Sequence, residues 1–140
     1  MNKKLNVSNN KPMITFIYYG LIGFIMEVLW TGLGSFINGD LTMKSTTSIW
    51  MFFIYGLAVF LQPLFILLEG LPIVLRGMIY MVLIFSAEYA TGYLLERSIG
   101  RCPWDYGNGN FSIYGLIRLD YAPVWFVVGI FYEYIYFTII

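Results

Sequence analysis

The chain has 140 residues, no formal net charge and no histidine; 59% of its residues are hydrophobic and only 11% charged, where a soluble domain carries about 25%. That is too little polar surface to clothe a soluble globule, so lipid is the expected solvent, and the neutral balance excludes nucleic acid as a partner. Without histidine, the usual general base near neutral pH and the commonest zinc or copper ligand are both missing; no cofactor is expected, a metal is left open, and the reading leans away from an enzyme.

In chain order, residues 1–12 form a polar tail with three lysines, Lys3, Lys4 and Lys11. They resemble the positive start of a signal peptide, but the apolar stretch behind them is too long for one and has no small-x-small cleavage site, so a retained membrane helix is expected. Residues 13–140 then read as a single transmembrane domain. About 20 apolar residues cross a hydrocarbon core of about 30 Å, and four stretches qualify: 13–34, 48–68, 71–95 and 121–140. The runs are continuously apolar rather than short and alternating, which favours helices over a β-barrel. The expected fold is all-α, a polytopic four-helix transmembrane bundle with a polar, partly irregular loop, 96–120, between the third and fourth helices. Gln62-Pro63 should kink the second span. Gly70 and Pro72 in "LLEGLP" mark a tight helical turn. Asp120 is an N-cap candidate for the fourth helix.

An even span count puts both termini on one side. Lys3, Lys4, Lys11 and Arg76 fall there, and Lys44, Arg97, Arg101 and Arg118 opposite, a tie under the positive-inside rule. The basic cluster before the first helix usually dominates, so a multi-pass protein of the cell membrane with cytoplasmic termini is expected.

A carboxylate inside a span costs about 2.5–3.5 kcal/mol on insertion scales, so Glu27, Glu88 and Glu133 each need a reason. On the first helix Gly20, Gly23, Glu27, Thr31 and Gly34 share a face; on the third Gly77, Glu88 and Gly92 do; on the fourth Trp125, Gly129 and Glu133 do. Small residues on a face favour close helix contact, which turns the carboxylates into the protein. Glu27 and Glu88 each lie about two thirds along their spans, in the half nearest the 96–120 loop, by counting at a uniform helical rise. Together they could hold a hard cation, relay a proton or grip a cationic headgroup, or merely lock helix packing. Glu133 lies where Arg76 enters, and a structural Arg76–Glu133 ion pair is expected.

The loop "GRCPWDYGNGNF" (Gly100–Phe111) holds the lone cysteine, Cys102, which reads as a small residue in a turn rather than a reactive thiol. Gly100 is a natural helix terminator. Trp104 and Tyr106 favour the membrane interface and flank Asp105, while Glu96 continues the Glu88 face into the headgroup zone. Phe111, Ile113, Gly115, Ile117 and Leu119 alternate, as one extended or re-entrant segment would. The candidate ligand-binding set is thus Glu27, Glu88, Glu96, Asp105, Trp104 and Tyr106, with Trp104 and Tyr106 as a lid over a carboxylate-lined polar cavity.

The pattern Glu88-x-x-x-Gly92 followed by "CPWDYGNGNFSIYGLIRLDYAPVWFVVG" (Cys102–Gly129), with "GFIMEVLW" (Gly23–Trp30) upstream, resembles the ABC-transporter type IV, or CmpB-like, membrane protein family, which also takes in the group called transmembrane protein 229. The matching positions are Glu27, Trp30, Glu88, Gly92, Trp104, Asp105, Tyr106, Gly115, Leu119, Tyr121, Trp125 and Gly129. Pro103 and Gly107 depart from the pattern; at the latter a serine or similar residue is expected. The resemblance implies a small polytopic transporter permease and no particular substrate. A permease-type subunit is therefore the first functional expectation. The chain has no G-x-x-x-x-G-K-[ST], so a separate ATPase subunit would hydrolyse ATP, and four spans are few for a pathway, so a homo-oligomer or a partner membrane subunit is expected. The alternatives are a scaffold or assembly subunit of a membrane complex, which needs only packing faces, and a membrane-embedded enzyme acting on lipid through Glu88 and Asp105, for which no Ser/His pair or zinc set exists.

Overall fold

A computed structural model describes residues 12–139, so the lysine-bearing start of the chain lies outside the described residues. The order is α1 (Pro12–Ile37), α2 (Trp50–Gly56), a 3-10 segment (Leu57–Leu61), α3 (Gln62–Leu67), α4 (Ile73–Ile99), strands β1 (Ser112–Ile113) and β2 (Ile117–Arg118), a 3-10 turn (Leu119–Tyr121) and α5 (Ala122–Thr138). Among the described residues the protein is all-α apart from one two-stranded hairpin. Three helical runs, Pro12–Ile37, Trp50–Leu67 and Ile73–Ile99, are long and apolar enough to cross a membrane. The fourth helix, α5, has 17 residues, about 25 Å at 1.5 Å per residue.

The second run is not a uniform helix. Its 3-10 segment ends just before Gln62-Pro63. Pro63 has no N–H to offer the carbonyl of Val59, and its ring crowds that carbonyl, so the preceding turn tightens. The chain divides into two compact units between Leu61 and Gln62.

In the first unit α1 packs on α2, and glycine makes the contact possible. A Cβ on Gly23 would lie 2.0 Å from the Tyr55 ring, one on Gly20 2.6 Å from the Phe52 carbonyl, and one on Gly56 2.6 Å from the Phe16 ring. Gly34, on the same predicted face, meets nothing within 4 Å among the described residues; the stripe loses its partner before it ends. The connecting loop folds back over the end of α1. Ser35 Oγ donates to the Lys44 carbonyl at 2.6 Å, and the Thr46 amide donates to Thr31 Oγ1 at 3.2 Å.

In the second unit α4 packs on α5. A Cβ on Gly77 would strike the Phe126 ring, and one on Gly129 would lie 2.4 Å from the Tyr80 Cβ. Phe65 of α3 is fully buried and meets the Tyr80 ring edge-on at 5.2 Å. The helix α4 runs four residues past the expected end, because no breaker arrives until Gly100, which closes it in the left-handed region at φ 87°. Asp120 does not cap α5 as expected. The cap position is Tyr121, with no side-chain cap bond, because the Asp120 carboxylate is drawn to the Arg118 guanidinium, 2.7 Å away. The alternating segment is not one extended strand either. It folds into a hairpin with Ser112 opposite Arg118 and Ile113 opposite Ile117. The fold-back is possible because Tyr114 and Gly115 both take positive φ, 52° and 69°, and the Leu116 amide bonds to the Ile113 carbonyl at 3.0 Å.

Candidate functional site

The site in the second unit is built on α4. Glu88 lies fifteen residues after Ile73 in a helix of 27 residues, so its Cα sits about 22 Å along a run of about 40 Å. The longer helix thus moves Glu88 from two thirds along towards the middle. Its side chain is buried, with the residue 6% exposed. One turn on, Gly92 leaves a gap that the returning loop fills. A Cβ there would lie 2.9 Å from Trp104 Cζ2, 3.0 Å from Leu116 Cδ2 and 3.4 Å from Cys102 Sγ.

The loop holds its own shape. Trp104 Nε1 donates to the Leu116 carbonyl at 2.9 Å, and the Tyr106 amide to the Gly115 carbonyl at 3.0 Å. Ser112 Oγ donates to the Gly107 carbonyl at 2.8 Å and accepts from the Gly115 amide at 3.2 Å. Asp105 Oδ1 accepts from the Gly107 amide at 2.8 Å. A Cβ on Gly115 would come within 2.5 Å of that same oxygen, so glycine is required there for space as well as for φ. From this frame Tyr106 reaches inward, and its hydroxyl donates to Glu88 Oε1 at 2.5 Å. The Tyr121 ring meets Tyr106 edge-on at 5.6 Å. The Tyr106–Glu88 bond meets the requirement that a carboxyl group taken out of water keep a hydrogen-bond partner.

The structure therefore brings together Glu88, Gly92, Trp104 and Tyr106. Asp105 is exposed and turned to its own loop, and Glu96 is exposed near the end of α4. Cys102 is half-buried; burial, then the nearby carboxylates of Glu96, Glu88 and Asp105, push its thiol above the ordinary range, offset in part by the Trp104 amide. It is no ready nucleophile.

Glu27 belongs to the first unit. It lies fifteen residues after Pro12 on α1 and is half-buried; Tyr55 Oη donates to its Oε1 at 2.6 Å. Glu133 on α5 is buried with Arg76: Nη2 lies 2.9 Å from Oε1 and Nε 3.1 Å from Oε2, a fork-to-fork pair. Tyr80 Oη donates to Oε2 at 2.5 Å. Arg76 Nη1 also donates to the Leu71 carbonyl at 2.6 Å, tying the α3–α4 turn to the pair.

Each of the three span carboxylates thus takes a tyrosine hydroxyl, from Tyr55, Tyr106 and Tyr80. Sequence reasoning singled out only Tyr106. With 12 tyrosines in the chain, no spacing rule marks Tyr55 or Tyr80. The available signal was chemical: in a span without histidine and nearly without basic residues, tyrosine is the commonest donor left to satisfy a carboxylate.

No solved structure matches the chain. Three apolar spanning helices make it a membrane protein. The model of the family described as "Putative ABC-transporter type IV" matches residues 14–140, a stretch that holds Glu27, Glu88, Trp104, Tyr106 and Glu133, and the chain belongs to that family.

Proposed function

We propose that the protein is the membrane subunit of a transporter, in which Glu88 is the ligand-binding carboxylate and the loop carrying Trp104 and Tyr106 is its lid. The observation that carries this reading is the Tyr106–Glu88 bond: a loop between two membrane helices reaches back to a buried carboxylate near the middle of one of them. An intramembrane ionisable group facing protein is costly to keep, and such groups mark ion, proton or substrate pathways. When the lid lifts, Glu88 exchanges the phenol for a cationic ligand or a proton in a polar cavity. Glu27, with Tyr55, is a second carboxylate of the same kind, and Asp105 and Glu96 lie at the approach. The chain has no nucleotide-binding loop, so ATP hydrolysis falls to a separate ATPase subunit, and the pathway is completed by a second copy or a partner membrane subunit.

The proposed topology is four-span, in the cell membrane, with both termini cytoplasmic. The 17 residues of α5 give about 25 Å, and the three residues of the 3-10 turn before it add about 6 Å, which together match a core of about 30 Å.

The test is thiol access. In a Cys102→Ser background, Glu88→Cys should react slowly with a small water-soluble reagent applied from the loop side and faster when Trp104→Ala is added. Val82→Cys, on the outer surface of α4, should stay unreactive. Protection of position 88 with and without Trp104 would mean a dry interior. In that case the carboxylate locks packing, and the protein is a scaffold rather than a pathway.

A further inference from the structure

The hairpin that completes the lid points two aromatic side chains away from the protein. Tyr114 is 85% exposed and Phe111 57% exposed. Tyr114 is also the first central residue of a tight turn, with positive φ. Asparagine, aspartate or glycine is the low-cost choice at such a position, and a bulky side chain there is a local strain. A tyrosine with so little packing inside the described fold gains nothing from it to offset that strain, so the return must come from outside the protein.

Depth says from where. The Leu116 side chain contacts α4 at Gly92, nineteen residues after Ile73 and so about 28 Å along the helix. An upright helix of about 40 Å, centred on a core of about 30 Å, leaves that core between about 5 and 35 Å along its length. Leu116 therefore lies about 7 Å inside the hydrocarbon, and any tilt of α4 carries it deeper. Two residues reach at most about 7 Å, so Tyr114 lies no farther out than the boundary between acyl chains and headgroups. The same end of the unit carries other groups of that zone: the Arg97 guanidinium lies 5.2 Å from the Tyr93 ring centroid and that of Arg118 5.0 Å from the Tyr121 centroid. Asp120 neutralises Arg118, so no uncompensated charge on the hairpin opposes burial.

We propose that Tyr114 and Phe111 seat the lid hairpin in the headgroup interface of the bilayer, with the phenol towards water and the rings towards the acyl chains. Tyrosine is suited to this depth because one end of the ring is apolar and the other hydrogen-bonds. Both helices of the unit also carry exposed apolar side chains, Val82 and Leu94 on α4 and Val127 and Phe131 on α5, so the lid is held from two sides, by Glu88 within the protein and by lipid outside it. Lifting the lid then requires the tip to leave or slide along the interface, which makes lid opening sensitive to headgroup packing.

The experiment is spin-label depth measurement on the full chain in phosphatidylcholine–phosphatidylglycerol vesicles, with Cys102→Ser throughout. Labels at Tyr114→Cys and at Phe111→Cys are compared with one at Val127→Cys, which is 63% exposed on α5. Relaxation by dissolved oxygen against a water-soluble nickel chelate should place both tip labels between Val127 and bulk water. Phe111→Cys leaves the turn untouched, so it decides alone where Tyr114→Cys fails to fold. Nickel access equal to that of free label would put the tip in water and overturn the proposal. Exclusion from both oxygen and nickel would put it against protein and overturn it equally.

Discussion

Replacing Arg76 by leucine tests the charge arrangement at the α4–α5 contact. Arg76 and Glu133 form a two-bonded pair at 2.9 and 3.1 Å, with side chains only 17% and 9% exposed. Removing one partner of a buried pair costs about 3–5 kcal/mol, because the other charge stays buried without compensation. The bond from Arg76 Nη1 to the Leu71 carbonyl, at a more exposed site, adds about 1 kcal/mol. Arg76→Leu should therefore destabilise the protein by about 4–6 kcal/mol. Adding Glu133→Gln removes the stranded charge but keeps an acceptor for the Tyr80 hydroxyl, so about 3–4 kcal/mol should return. Unfolding in mixed micelles of mild detergent and SDS, followed by far-UV circular dichroism, measures both variants at fixed pH. A double variant no more stable than Arg76→Leu would refute the pairing.

Three other outcomes are expected. Gly129→Ala should destabilise strongly, because its Cβ would lie 2.4 Å from the Tyr80 Cβ, close to backbone, whereas Gly34→Ala should be neutral or slightly stabilising, with open space at that position; thermal melts of the two in one detergent separate the cases, and equal melts would mean that α4 and α5 do not pack as described. The Asp40 carboxylate, held below the ordinary aspartate range by the Thr42 hydroxyl and amide, contributes to its turn above its unfolded pKa and loses that contribution as pH falls through the depressed folded value; the Thr42 amide shift in NMR should follow this titration, and a midpoint at or above the ordinary aspartate value would contradict the bond. Reporter fusions at Lys4 and after Ile140 should report one side of the membrane and a tag after Asn108 the other; opposite signals from the two termini would rule out four crossings.

The solvent was legible in the sequence alone, because composition and run length are sums over residues and need no partner. The helices were legible for the same reason, as were their punctuation at Pro63, Pro72 and Gly100 and the inward-facing stripes of Gly23 with Glu27, Gly92 with Glu88 and Gly129 with Glu133. Each is a local property of one segment and its period. What the stripes pack against was decided by the tertiary structure: Gly20 meets the Phe52 backbone carbonyl, whereas Gly23, Gly77 and Gly92 admit the rings of Tyr55, Phe126 and Trp104, and Gly129 admits the Cβ of Tyr80. The carboxylate partners were decided there too. Glu88 needed a donor, and the chain offered many tyrosines; only the folded loop, fixed by the Trp104–Leu116 and Tyr106–Gly115 bonds, delivers Tyr106 to it. Asp120 lost its expected cap role to a near neighbour: its position before a helix suits a cap, but capping competes with any cation in reach, and Arg118, two residues back, holds the carboxylate at 2.7 Å. A hydrogen bond between distant residues depends on geometry that no local pattern encodes, so the Tyr106–Glu88 contact belongs to the fold rather than to the motif.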